Sequence, residues 1–232
     1  MTSAIAENIK RIRGQIEDAA VRAGRDPNEI LLCAATKTQS AECVREAVQA
    51  GVDACGENRV QELTVKLSEN AYFGVPVHLI GHLQTNKIKN VVGAVDLIES
   101  VDSAELAQLI SRRAEAIGIT QDILVEINIA DEPQKSGISP DASSEVIAQI
   151  SEISGVKLCG IMCIAPVNAE RKENMGYFCK MHKIMLDNAN KIVYNGLCNP
   201  IMSMGMSRDY KEAIECGSTL IRLGTAIFGA RT

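Results

Sequence analysis

The chain has 232 residues, of which 46% are hydrophobic and 23% charged, and a formal net charge of −5. That length fits one large α/β domain, the composition is that of an ordinary globular protein, and no run of ~18 apolar residues is present to span a bilayer. The dispersed Lys and Arg give no basic footprint for nucleic acid. The opening Met-Thr-Ser-Ala-Ile-Ala-Glu-Asn-Ile-Lys lacks the basic-then-apolar layout of a secretory leader, so a cytoplasmic protein with small-molecule or protein partners is expected.

In chain order, Ile5, Ile9, Ile12, Ile16, Ala19 and Ala23 recur at intervals of three and four, which predicts an amphipathic helix ahead of the first strand. Apolar β-type runs then begin near Ile30, Asp53, Val77, Val95, Asp122, Val156, Pro200 and Thr219, with helical patterns between them. Eight strands alternating with helices predict a (β/α)8 barrel of TIM type with an additional N-terminal helix, forming a single domain over residues 1–232. Helix punctuation supports the alternation: Ser139-Pro140 and the Asp102/Glu105 spacing read as starts, and Gly51, Gly118, Gly155 and Gly217 as ends. The eight cysteines (33, 43, 55, 159, 163, 179, 198 and 216) show no Cys-x-x-Cys pair and no His at ligand spacing. They read as reduced, mostly buried thiols, and no metal is expected.

In such a barrel, chemistry gathers on the loops that follow the strands. Lys37 closes the run Ile30–Thr36. It is either a lysine already in solvent before the next helix, or an amine whose pKa is lowered by an apolar wall, suited to imine formation with an aldehyde. Asn58 follows the second run and His82 the third, and Glu126-Ile127-Asn128 ends the fifth. Singly these are weak: Asn58 can cap a helix, and a lone histidine is more often structural than catalytic. The turn Ser203-Met204-Gly205-Met206-Ser207 after the seventh run and Arg222-Leu223-Gly224-Thr225 after the eighth combine small residues with hydroxyls. Tight connections alone would account for either glycine; both turns together fit a phosphate cradle. Because the eighth strand of a closed barrel pairs with the first, one phosphorylated aldehyde bridging lysine and cradle fits, and pyridoxal 5′-phosphate is such a compound, with Arg222 available near its ring nitrogen.

At these residues the sequence resembles the pyridoxal-phosphate homeostasis protein family, single-domain relatives of the N-terminal barrel of alanine racemase. The matching segments are Ala35–Thr38, Gly56–Glu62, His78–Lys87, Lys135–Ile138, Gly160–Cys163, Ser203–Ser207 and Arg222–Gly229, in order along nearly the whole chain. The resemblance implies that Lys37 carries the cofactor as an internal imine, that Ser203, Gly224 and Thr225 hold the phosphate, that Arg222 faces the pyridine nitrogen, and that Asn58 positions the ring. His82, Met204 and Ser207 complete the expected cofactor-binding set. Thr36 stands where the family more often has serine, and Gln39 and Ala165 also depart from common choices.

Alanine racemase takes its second acid/base, a tyrosine, from an additional domain. Here Tyr72, Tyr177, Tyr194 and Tyr210 fall in helices or their flanks. The expected role is therefore buffering or delivery of the cofactor, in vitamin B6 homeostasis, to recipient apo-enzymes, with indirect effects on amino-acid and keto-acid metabolism, rather than catalysis. The alternatives are a low-activity amino-acid racemase and an interaction scaffold with no bound aldehyde. Since every expected ligand comes from one barrel, a monomer is expected.

Overall fold

The computed structural model describes residues 3–166, 170–192 and 200–229. Helix α1 (Ala4–Arg22) precedes β1 (Leu31–Ala35), α2 (Ala41–Gln49), β2 (Ala54–Glu57), α3 (Val60–Ser68), β3 (Val77–Leu79), α4 (Ile88–Val91), β4 (Leu97–Val101) and α5 (Ala104–Ala116). There follow β5 (Gln121–Ile127), α6 (Ser143–Ser151), β6 (Val156–Cys163), α7 (Arg171–Asp187), β7 (Ile201–Ser203), α8 (Tyr210–Glu215), β8 (Leu220–Leu223) and α9 (Thr225–Phe228). The strands close into a parallel barrel in sequence order, with β8 returning to β1. Every expected strand start lies within two residues of the observed one.

Strands covered by helices on one face and by a filled lumen on the other are apolar on both sides, which is why β4 and β5 are buried almost throughout. Alternation still sorts the side chains. Cys33, Ala54, Leu97, Leu124, Met162, Ile201 and Leu220 form a lumen cluster, while their strand neighbours Leu32, Cys55, Ile98, Val125, Ile161, Met202 and Ile221 belong to the larger core between barrel and helices. The same period turns His78, Glu99, Glu126, Ser203 and Arg222 inward and Glu57 outward.

Helix α1 starts at an N-cap Ser3 that accepts from the Ala6 N–H and buries Ile9, Ile12, Ile16, Ala19 and Ala20. It packs on α2, α8 and α9, and Asn8 donates to the Ile227 carbonyl, so the expected N-terminal helix braces the junction where the barrel closes. Gly51, Gly118, Gly155 and Gly217 all take positive φ beyond helix ends, as expected. Two expected helix starts are corrected. Ser103, not Asp102, caps α5, because its hydroxyl reaches the Leu106 N–H at 3.2 Å. Ser139-Pro140 opens a turn, and α6 begins only at Ser143, whose hydroxyl donates to the Pro140 carbonyl.

Among the described residues all seven cysteines are free and five are buried, and no described helix is long and apolar enough to cross a membrane. Cys198 and Tyr194 lie outside the described residues.

Gly160 marks where β6 and β7 approach too closely for a side chain: a Cβ there would stand 1.8 Å from the Ile201 carbonyl oxygen. It sits at the register shift between β5 and β6, so the crowding falls on barrel backbone that cannot yield. Gly160→Ala is expected to lower stability by about 3 kcal/mol or more. Urea unfolding followed by circular dichroism measures this; a loss below about 1 kcal/mol would contradict the packing.

Candidate functional site

Three adjacent strands bring the site together. Ala35 of β1 pairs with Gly56 of β2, so Lys37 and Asn58 each stand two residues past one register pair. On the other side, a Cβ built on Gly224 would lie 3.4 Å from the Ala35 carbonyl oxygen and 3.6 Å from its Cβ, which puts the turn after β8 against the end of β1. Lys37 itself is half-buried in the turn after β1.

That turn is clamped at both ends. The buried Thr36 donates its hydroxyl to Glu57 Oε1 at 2.6 Å, and its carbonyl accepts from Lys66 Nζ at 2.6 Å. Lys66 also pairs with Glu57 Oε1 at 2.6 Å, and the Tyr72 hydroxyl donates to the same oxygen at 2.9 Å. Thr38, with φ of +64°, donates its N–H to Glu62 at 2.6 Å. The outward-facing Glu57 is thus held in a buried network under the turn; stranding one charge of such a pair costs about 3–5 kcal/mol. A hydroxyl is what this network uses, and Thr36 supplies it.

Asn58 does not cap α3: the N-cap is Arg59, and it makes no side-chain cap bond. Instead the Asn58 backbone is pressed against Gly81, where a Cβ would fall 2.3 Å from the Asn58 carbonyl oxygen. Its Oδ1 is buried without a partner. Gly81 is tied in turn to β4 by the Ser100 hydroxyl at 2.7 Å. His82 is not drawn into this group. Its side chain is 57% exposed and faces Asp102 at 3.6 Å, on the rim of a cavity of ≈ 490 Å³ that Asn58 also lines.

The two C-terminal turns meet directly. The Arg222 N–H donates to the Gly205 carbonyl at 3.0 Å, and the Ala226 N–H donates to Ser207 Oγ at 3.2 Å. Ser207 and Gly224 are half-buried and Thr225 is exposed. Gly205 has φ of +95°, and a Cβ there would come within 2.6 Å of the Ala213 Cβ. Met204 differs from expectation. It is wholly buried in the outer core, its N–H bonds the Leu220 carbonyl and its own carbonyl accepts from Ser218, so it packs the turn and offers nothing to a ligand.

Ser203 also has partners other than those expected. It is fully buried, its Oγ donates to Glu99 Oε2 at 2.6 Å, and it accepts from Arg222. With its single proton given to Glu99, it has none for an anion at the mouth. Ser207 accepts from Ala226 and keeps its own proton to donate, which makes it the hydroxyl suited to that task.

Arg222, 4% exposed, also donates to the Cys163 carbonyl at 2.8 Å and lies 3.5 Å from Glu99 Oε2. His78 Nδ1 meets Glu99 Oε1 at 2.7 Å. Burial alone would raise the pKa of Glu99. The hydrogen bond and charge of His78, with the charge of Arg222, outweigh that and hold it below the usual carboxylate value. Cys33, His78 and Glu99 place possible ligand atoms within 4.8 Å of one another. Burial pushes the Cys33 thiol well up. Sequence reasoning passed over Glu99 and His78; their signal was a charged or polar residue at an inward position within an apolar run.

Residues 2–232 match the family described as alanine racemase, N-terminal domain. The pyridoxal phosphate homeostasis protein of Aquifex aeolicus is 38% identical over 225 residues, covering 97% of either chain. PipY of Synechococcus elongatus, solved with PLP bound, superposes with a TM-score of 0.82 at 31% identity, covering 97% of this chain and 100% of that one. Alanine racemase of Clostridium difficile shares the fold with a TM-score of 0.71 at 18% identity, and the match spans 57% of its length. The chain belongs to the alanine racemase N-terminal domain family, and within it to the pyridoxal phosphate homeostasis proteins.

Glu126, inward at the end of β5, titrates unlike a surface carboxylate. Burial and then the charge of Asp102 raise its pKa from 4.5 to about 7, against the pull of Arg222. Between those two values the folded protein retains a proton that the unfolded chain has released. Stability contributed by this group is therefore full below 4.5 and lost as pH rises through about 7. Glu126→Gln should remove a slope of up to about 1.4 kcal/mol per pH unit in that window. Urea unfolding of both proteins across the window tests this; a wild-type-minus-variant difference that does not change with pH would contradict it.

Proposed function

We propose that the protein binds pyridoxal 5′-phosphate at the mouth of the barrel and buffers or delivers it to recipient apo-enzymes in the cytoplasm, acting as a monomer. The observation that carries this reading is the contact of the Gly224 turn with Ala35, two residues before Lys37, since a single small ligand can then touch amine and anion cradle together. When bound, the cofactor supplies an aldehyde that a lysine amine captures reversibly.

The residues present fit such a ligand. Lys37 provides the amine on a turn fixed by Glu57, Lys66 and Glu62. Ser207, Gly224 and Thr225 hold the phosphate. The unpartnered Asn58 Oδ1 accepts from a polar edge of the ring. Arg222, fixed by Glu99 and the Cys163 carbonyl, would be the cation available to the ring nitrogen. A guanidinium is a permanent donor, so it does not keep a pyridine nitrogen protonated, and proton abstraction from a bound amino acid gains little from the ring. Tyr72 is bonded to Glu57 beneath the site and Tyr177 and Tyr210 lie in outer helices, so none of these three serves as an acid over it.

The second reading, a low-activity racemase, would draw on Glu126, which faces inward at the end of β5 and whose pKa burial raises to about 7. The two readings part in one experiment. Borohydride treatment of the purified, cofactor-loaded protein should fix the cofactor on Lys37 by peptide mapping, and incubation with L- or D-alanine should leave chirality unchanged. A label on Lys135 or Lys87 would refute the site. Racemisation abolished by Glu126→Gln would establish the second reading.

A further inference from the structure

At the opposite end of the barrel from Lys37, the residues leading into β7 and β8 line a cavity of ≈ 770 Å³. Cys179 of α7 and Cys216 at the end of α8 both border it, with their sulfurs 3.1 Å apart. Cys179 is exposed and Cys216 is buried. No described part of the candidate site reaches this cavity, and packing alone does not require two thiols in contact beside open space.

The pair is held together from both sides. His182, one turn after Cys179 on α7, donates from Nδ1 to the Cys216 carbonyl at 2.8 Å. Its ring lies so close to Gly217 that a Cβ there would stand 2.4 Å from Nδ1. The Cys216 Sγ also lies 3.6 Å from the Met175 carbonyl. A disulfide needs the sulfurs about 1 Å closer.

The thiols are unequal. Burial first, then contact with Cys179 and the charges of Glu215 and Glu212, push Cys216 up to about 12. Cys179 is the accessible one and therefore the attacking group. Arg25, Lys183 and Glu215 line the same cavity, a lining of both signs that suits a small peptide carrying carboxylates and an amine.

We propose that Cys179 and Cys216 form a thiol–disulfide exchange site whose oxidant is a low-molecular-weight disulfide of the glutathione class, admitted by this cavity. The Cys179 thiolate attacks one sulfur of the small disulfide, breaking its S–S bond and releasing one small thiolate. Cys216 loses its proton to that thiolate and attacks the Cys179 sulfur, releasing the second small thiolate, which takes up the proton that Cys179 had lost. Two protein thiols are oxidised to one disulfide while one small disulfide is reduced to two thiols. The new bond closes a segment spanning 37 positions and fastens α7 to the α8–β8 junction.

The test incubates the full-length protein with oxidised glutathione, quenches with acid and maps peptides without reduction. The expected result is a Cys179–Cys216 linked peptide and a melting temperature raised by about 5 °C or more, both reversed by dithiothreitol. Cys216→Ser should accumulate one glutathione on Cys179, and Cys179→Ser should form neither link nor adduct. A glutathione adduct that persists on Cys179 in the wild type, a link to any other cysteine including Cys198, or thiols left unreacted under conditions that oxidise a reference dithiol would each overturn the proposal. Should Cys216→Ser fail to fold, the wild-type map and the variant at the exposed Cys179 decide it.

Discussion

The pairing of β8 with β1 is the constraint on which the rest depends. Four register pairs, from Leu31↔Leu220 to Ala34↔Leu223, close the barrel and lay the Gly224 turn beside the segment that carries Lys37. Without closure the amine would sit at one edge of a sheet and the joined β7 and β8 turns at the other. Helix α1 bears on the same seam through α2, α8 and α9, which gives the N-terminal extension a mechanical purpose. Closure also creates a lumen narrow enough that inward side chains from β3, β4, β7 and β8 meet, and there the protein places a charged layer instead of a wholly apolar one.

That layer sets the electrostatics beneath the mouth. Glu99 takes His78 on one oxygen and Ser203 with Arg222 on the other, so a buried carboxylate is fully engaged and the guanidinium is immobilised beside it. Replacing such an array by apolar groups is often neutral or stabilising, so its presence argues for a positioning role more than for stability. Outside the barrel wall, Glu57 plays a parallel part for Lys37 by holding Thr36 through side chain and backbone. Two buried carboxylates, one on each face of the sheet, thus fix the guanidinium and the lysine turn from below.

The barrel was legible because eight apolar runs with glycine-terminated helices between them have few other solutions. Helix starts were less so. Asp102 carries the residue type of a cap, yet its side chain faces His82 while Ser103 supplies the bond to Leu106. Lys37, Asn58 and the two C-terminal turns stood out as polar groups where apolar runs stop. The division of labour between Ser203 and Ser207 was hidden, because which hydroxyl faces the lumen follows from alternation, and what it meets there is decided by Glu99 on a strand three places away around the barrel. Cys179 and Cys216 were read as scattered thiols, since only the packing of α7 on α8 brings them together.

The central claim is that one ligand spans Lys37 and the cradle of Ser207, Gly224 and Thr225, and a binding cycle tests it most directly. Spectral titration would give the affinities of pyridoxal phosphate and of pyridoxal for the wild type and for Ser207→Ala. Loss of one charge-assisted hydrogen bond should weaken the phosphorylated ligand about 10-fold or more while pyridoxal changes by no more than about 2-fold. Equal weakening of both ligands, or none of either, would contradict the account.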